Sequence, residues 1–324
     1  MPARCLVASV LLLALSGACR SRFEPSHRDP PTSVPLAAAA TVGSVTPAAA
    51  ALGARELTWV YPETKVGPMH VVVSVPARKS AEERFPLLIA MHGMGESLKG
   101  PAAGARGWID DYWLGRAESR LRAPPLTKAD FLGMVEPDRL ALLNASLRVK
   151  PYGGLVVVCP YTPNRLGGER FFEQALPLAD FLVQEVLPRA RRELPVDKEP
   201  AATAVDGVSL GGRAALLVGL HHPSAFGVVS TLQPAFDPQE VHRIAPLARR
   251  AVHDNPRLRF RLVTSSRDYY LASTRLLADD LRRVGIEPHL LVLSGDHSYD
   301  FNRGPGVFEM LFFHDRALRG QDVP

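Results

Sequence analysis

Cysteine is scarce in this chain: three residues in 324, at positions 5, 19 and 159. Two of them fall at the N-terminus, so only Cys159 remains in the body of the sequence. That excludes an intramolecular disulfide and a cysteine-based metal site in the mature domain. A lone thiol at the end of a strand-like run reads as a small, inert, buried group. Aromatic residues are few as well, at 7%. The net charge is +5 and the pI about 9.3, yet Lys and Arg are scattered among Asp and Glu. Without a basic stripe interleaved with aromatics, nucleic acid is a poor partner. An anionic membrane surface remains compatible with this charge. Internal repeats are absent.

What is present begins with a targeting pattern. Arg4 supplies a positive charge, and residues 6–15 form an apolar stretch too short to span a bilayer. It ends in Leu15-Ser16-Gly17-Ala18-Cys19. Small residues before a Cys resemble a bacterial lipobox, although Ser16 stands where that signal carries Leu. The expectation is a signal peptide over 1–19, with Cys19 lipidated as the first mature residue. Plain secretory cleavage near Ala18 is the alternative. Residues 20–54 are rich in Pro, Ala, Ser and Thr and have no periodic apolar face. They cannot bury a core and read as a disordered tether. The expected location is outside the cytoplasm, anchored to a membrane by lipid, in the periplasm or at the cell surface.

From residue 55 the texture changes. Hydrophobic residues make up 46% of the chain, enough for an ordinary core. Strands are expected at 57–61, 70–75, 86–91, 154–159, 203–208, 227–231, 260–264 and 289–293, the first two antiparallel. The later runs, rich in Val, Leu and Ile, suit a parallel sheet covered on both faces. Helical spacing predicts helices over 177–194, with Pro188 as an interruption, and over 210–220, 271–284 and 307–318. Alternating strands and helices argue for a single α/β domain over 55–324. Residues 95–150 break the alternation, being far longer than a normal loop. They show helical patterns at 110–121 and 127–147, the second broken near Pro137, with Thr127 and Asp130 resembling a capping box. Their large apolar side chains suit equally a structural excursion and a lid.

The sharpest chemical signal is Gly207-Val208-Ser209-Leu210-Gly211-Gly212. G-x-S-x-G alone is weak. Here it joins a strand-like run to a helix, where glycines relieve the crowding of a sharp turn and expose the Ser hydroxyl. A nucleophilic Ser209 needs a base. Among ten histidines, His297 follows the last strand, on the edge where open α/β sheets build their sites. His221 and His222 read as loop structure, and His253 and His314 as helix surface. The base needs a carboxylate to fix its tautomer. Asp268 follows the penultimate strand; Asp296 and Asp300 are rivals, but their closeness to His297 in sequence makes a good contact harder. The order Ser209, Asp268, His297 is that of the hydrolase fold. His92-Gly93-Met94-Gly95 follows the third strand, so the backbone amides of Met94 and Leu210 are the expected oxyanion donors. His92 is expected to pack below that hole.

These pieces resemble the esterase branch of the α/β hydrolases, the group that includes esterase D and the feruloyl esterases. The similar segments are Val75-Pro76, Pro86 through Gly93, Gln184-Glu185-Val186-Leu187-Pro188, Gly207 through Gly212, Pro223-Ser224-Ala225-Phe226 and Gly295-Asp296-His297. The resemblance runs from about residue 56 to the C-terminus and departs at 95–150. It implies an α/β-hydrolase fold and cleavage of small-molecule carboxylic esters through an acyl-enzyme, with no metal and no organic cofactor. Peptide cleavage or acyl transfer by the same residues, and a catalytically inactive surface binding protein, are the alternatives.

Overall fold

The computed structural model describes residues 54–164 and 170–324. The expected signal segment, the lipidation candidate Cys19 and nearly all of the expected tether lie outside the described residues.

Eight strands form one sheet: β1 (Arg55–Tyr61), β2 (Met69–Val75), β3 (Leu87–Met91), β4 (Val156–Pro160), β5 (Thr203–Gly207), β6 (Val228–Leu232), β7 (Arg259–Arg267) and β8 (His289–Asp296). Their spatial order is β1-β2-β4-β3-β5-β6-β7-β8. β2 runs antiparallel to both β1 and β4, and every other pair is parallel. The chain leaves β3 toward β4 on one side and returns with β5 on the other. The switch point therefore lies between β3 and β5, whose register pairs Met91 with Gly207. Ligands in open α/β sheets bind in such a crevice, at the carboxyl ends of the strands.

Side-chain alternation divides the apolar residues between two faces. Leu87, Ile89 and Met91 point to one, Leu88 and Ala90 to the other. Both are buried, which is why these strands read as continuous apolar runs rather than alternating ones. Helices α1 (Leu114–Arg122) and α2 (Pro137–Val149) lie in the β3–β4 connection. Next come α3 (Phe171–Phe181) and α4 (Leu187–Glu193), joined through a π-turn over Leu182–Val186, then α5 (Leu210–His221), α6 (Ile244–Asp254), α7 (Leu271–Arg283) and α8 (Val307–Leu318). Helices α3 to α7 cover the face of Ile89, Val205 and Leu262. On the opposite face α8 packs with the β3–β4 connection, Phe131 meeting Phe308 at 4.8 Å between ring centres. This eight-stranded, mostly parallel sheet between two helical layers is the α/β-hydrolase fold.

Three local expectations change. Residues 95–150 are the β3–β4 crossover and half of a helical layer, with Trp108, Leu121, Leu143 and Leu147 in the core. The 127–147 helix is shorter than its pattern suggests. Thr127 and Asp130 do bond, backbone N–H to carboxylate at 2.7 Å, but they close a turn, and the helix starts at Pro137. His314 is not on a helix surface. It is fully buried, with Nε2 2.8 Å from Asp206 on β5. Every residue of α8 is buried, and its charges are paired internally. Arg139 grips Glu309 with two contacts of 2.7 Å, and Asp315 accepts from Arg316 at 2.7 Å. Charged residues on a sequence suggest an exposed face, and here pairing makes their burial tolerable.

Candidate active site

Ser209 stands between β5 and α5 with φ 55° and ψ −114°, a conformation that an L-residue holds only when its surroundings enforce it. The surroundings are glycine and backbone. A Cβ on Gly207 would lie 2.4 Å from the Gly211 carbonyl, and one on Gly211 only 2.3 Å from the Met91 carbonyl oxygen. The N–H of Ser209 donates to Leu232 at 2.9 Å, fixing the turn to β6. The sharp turn places the Ser hydroxyl at the crevice above the sheet.

The structure brings Ser209, His297 and Asp268 together. His297 Nε2 is 3.0 Å from Ser209 Oγ, and Nδ1 is 2.9 Å from Asp268 Oδ1. Both contacts are satisfied by the tautomer in which Nδ1–H donates to the carboxylate and Nε2 accepts the serine hydroxyl. The Asp268 side chain is fully buried. Its Oδ2 accepts from the Thr264 hydroxyl at 2.8 Å and its Oδ1 from the Tyr270 N–H at 2.9 Å. These bonds stabilise the charged carboxylate and aim it. The Tyr269 ring lies against His297, 4.4 Å between centres and tilted by 30°. The rival carboxylates are turned elsewhere, Asp296 accepting from Ser298 at 2.6 Å and Asp300 lying 3.6 Å from Arg303.

The turn after β3 faces this line of groups. Met94 and Leu210 each open a helix, so neither N–H has an acceptor within its helix. His92 lies beneath, buried, with Nδ1–H donating to Gly93 O and Nε2 accepting from Thr162 N, both at 2.9 Å. Burial lowers its pKa from 6.5 to about 4, so it is a neutral strut. A cavity of about 180 Å³ opens at Ser209, walled by residues such as Met94, Glu96, Tyr112, Tyr269 and Tyr299. A larger one, about 520 Å³, lies at the opposite strand ends beside Ala201, Gly227 and Arg259, away from Ser209. Size does not decide between them: it is the smaller that holds the Ser209 hydroxyl against the His297 ring. Cys159 is buried in the sheet, where desolvation pushes its thiol pKa far up. Among the described residues no cluster of three or more His, Cys, Asp or Glu is placed to hold a metal.

Sequence reading missed four residues at this site. Gln233, buried with φ 48°, donates through Nε2 to Ser265 Oγ at 2.7 Å and to Asp296 O at 2.8 Å, tying three strand ends together. Glu96, Tyr112 and Tyr299 form a polar cluster on the cavity wall. Their sole sequence signal was position, two residues after Met94 and two after His297 for Glu96 and Tyr299.

Comparison with known proteins agrees with this frame. A family model described as "Putative esterase" matches residues 167–281, which include Ser209 and Asp268. Iron(III) enterobactin esterase of Dickeya dadantii (strain 3937) is 48% identical over 52 residues, 16% of this chain. The matched stretch spans only 12% of that relative's length. Among solved structures, S-formylglutathione hydrolase FrmB of Staphylococcus aureus superposes with a TM-score of 0.57 at 13% identity, covering 81% of this chain and 99% of its own. A ferulic acid esterase gives 0.55 at 15% identity, covering 82% and 99%. An S-formylglutathione hydrolase of Agrobacterium tumefaciens gives 0.54 at 18%, covering 83% and 97%. At these identities the structural likeness is one of fold.

Proposed function

We propose that this chain is a serine hydrolase that cleaves carboxylic esters of small molecules. The carrying observation is the unbroken line Ser209 Oγ, His297 Nε2, His297 Nδ1, Asp268 Oδ1, with contacts of 3.0 and 2.9 Å. The esterase family match supports esters over peptides or acyl transfer.

In this reading His297 Nε2 takes the hydroxyl proton as Ser209 Oγ attacks the ester carbonyl carbon. The carbonyl oxygen becomes an oxyanion facing the amides of Met94 and Leu210. Asp268 holds the tautomer and stabilises the imidazolium without taking its proton. His297 then protonates the departing alkoxide, leaving the acyl group on Ser209. A water activated by His297 attacks that ester, and the collapse returns the proton to Ser209 as the acid departs. The strained backbone of Ser209 fits such a role, since strain of this kind gathers at functional sites. Cys19 would carry lipid and tether the domain to a membrane outside the cytoplasm, a reading that rests on the lipobox-like sequence alone.

The test is labelling of purified protein with a fluorophosphonate, alongside hydrolysis of p-nitrophenyl esters. Ser209→Ala is expected to lose both and to stay folded. A folded Ser209→Ala variant that labels and turns over as the wild type does would refute the reading. Membrane release of Cys19→Ser in a bacterial host tests the anchor, and an unmodified mature N-terminus at another residue would count against it.

A further inference from the structure

One buried carboxylate at the cavity has no part in the chemistry just described. Glu96 is 1% exposed. Its Oε2 accepts from the Tyr112 phenol and its Oε1 from the Tyr299 phenol. Tyr112 Oη in turn accepts from the N–H of Gly93 at 3.2 Å. Lys99 Nζ, 3.9 Å from Oε1, is the nearest cation in this group. Burial and the adjacent carboxylate push both phenols up, so they remain protonated donors.

The three residues come from three places. Glu96 lies in the turn after β3, two residues past Met94. Tyr112 comes from the β3–β4 crossover. Tyr299 comes from the loop that carries His297. Glycines leave the space for them to meet: a Cβ on Gly107 would lie 2.5 Å from Glu96 Cγ, one on Gly95 2.3 Å from Tyr299 Oη, and one on Gly93 3.1 Å from Tyr112 Oη. A chance surface pair has no such clearance built around it. The cluster also spans the two segments whose relative placement matters most. The amide of Met94 and the imidazole of His297 must both face the carbon bound to Ser209, and the chain path between them runs through most of the domain.

We propose that Glu96 is a positioning residue: clasped by Tyr112 and Tyr299, its carboxylate holds the oxyanion turn and the His297 loop in register around Ser209. This rests on the serine-esterase reading above. Because preorganised donors act through their geometry, a loosened clasp lowers the rate of the chemical step more than it weakens substrate binding. Glu96 itself transfers no proton and makes no bond to substrate.

The experiment compares full-length wild type with Tyr299→Phe, Glu96→Gln, Tyr112→Phe and the double phenylalanine variant, on p-nitrophenyl acetate. Tyr299 is 40% exposed and its ring is kept, so Tyr299→Phe holds its thermal midpoint and keeps the test alive even if a change at buried Tyr112 unfolds the protein. Removing one charge-assisted bond is expected to lower kcat about tenfold. KM is expected to stay within about twofold, the pattern of an interaction felt at the transition state. Fluorophosphonate labelling slows in parallel. The double variant loses less than the product of the two single losses, since both phenols act through one carboxylate. The inference is overturned if Tyr299→Phe keeps wild-type kcat, if its loss appears wholly in KM, which would make Tyr299 a substrate contact, or if the two phenylalanine losses simply multiply. Failure of the parent reading looks different: wild-type turnover by Ser209→Ala would remove the serine mechanism, and this inference with it.

Discussion

Of the aspartate–histidine pairs in this domain, two have both side chains largely buried and stand at almost the same separation. Asp268 and His297 meet at 2.9 Å, and Asp206 and His314 at 2.8 Å. Asp206 lies on β5 and Asp268 just after β7, two strands away, and Asp206 is only three residues before Ser209. Yet the first pair opens onto a cavity with a serine hydroxyl on the far ring nitrogen, while the second is sealed inside the protein. The far nitrogen of His314, Nδ1, has no hydrogen-bond partner. A histidine held by a carboxylate is therefore not a site in itself. It becomes one where the other nitrogen faces a reactive group and solvent or substrate can enter.

The comparison is broken most severely by exchanging each aspartate for asparagine. At Asp268 the amide cannot hold the tautomer or stabilise the imidazolium, and kcat is expected to fall by about 10⁴, as in the serine-protease template. The thermal midpoint should hardly move, because the Thr264 hydroxyl that donates to Oδ2 can turn and accept from the amide NH₂ instead. Steady-state kinetics and a melting curve on the same preparation check both halves. Normal turnover by a folded Asp268→Asn variant would strip the first pair of its special status.

Acidification comes next. Burial depresses the pKa of His92 from 6.5 to about 4 and lowers that of His314 as well. Each unfolded imidazole would take a proton at a pH where the folded one does not. The unfolded state thus binds more protons between about pH 6.5 and 4, and stability falls as pH drops through that window. For His92 alone the loss approaches roughly 3 kcal/mol at its acid end. Chemical denaturation at pH 7 and pH 5 checks the sign, and a His92→Asn variant with the same pH slope as wild type would contradict it.

Asp206→Asn is expected to produce a smaller effect, on stability. Oδ1 of Asp206 accepts from Gly207 N at 2.7 Å while Oδ2 accepts from His314. An amide has one acceptor oxygen, so one buried donor is left facing an NH₂ group. That costs about 1–3 kcal/mol. With the fold intact, kcat should remain within a few-fold of wild type, the opposite balance from Asp268→Asn. A large kcat loss at unchanged stability would place the sealed pair in the mechanism after all.

The same contrast explains what could be read from the sequence. All eight expected strands are present. The central strands β3 to β6 are buried on both faces and read as mostly apolar runs, while the half-exposed edge strands β1 and β8 were legible from their β-branched, aromatic and aliphatic content. The position of Ser209, Asp268 and His297 after the carboxyl ends of β5, β7 and β8 was legible too, since each follows a strand and these strands are parallel. What stayed hidden depends on pairing at long sequence distance. His314 lies in a helix with Glu309, Asp315 and Arg316, and nothing local announces that Asp206, 108 positions earlier, will meet it. Glu96 and Tyr299 are 203 positions apart and join only because β3 and β8 end on the same edge. The role of the β3–β4 crossover was left open for a related reason. Its helices carry a broad apolar content that suits a lid as well as a layer, and only their contact with α8 decides where that surface is buried.

The smallest expected effect concerns the carboxylates next to His297 itself. Asp296 immediately precedes the base and Asp300 follows it by three residues, so by proximity alone either could be taken for its partner. Geometry separates them from Asp268. The Asp296 carboxylate accepts from the Ser298 hydroxyl at 2.6 Å, within its own turn, and Asp300 is 69% exposed beside Arg303. An exposed pair of that kind contributes little, because water screens both charges. Asp296 contributes to the site through its backbone instead, its carbonyl accepting from Gln233 Nε2 at 2.8 Å, and a side-chain exchange leaves that bond in place. Asp296→Asn and Asp300→Asn should therefore keep kcat within about threefold of wild type, the range of a lost surface contact. Side-by-side kinetics with Asp268→Asn reads the difference directly. A crippled Asp296→Asn beside a nearly silent Asp268→Asn would move the acid into the His297 turn, and Asp268 would join Asp206 as a carboxylate that only holds the sheet together.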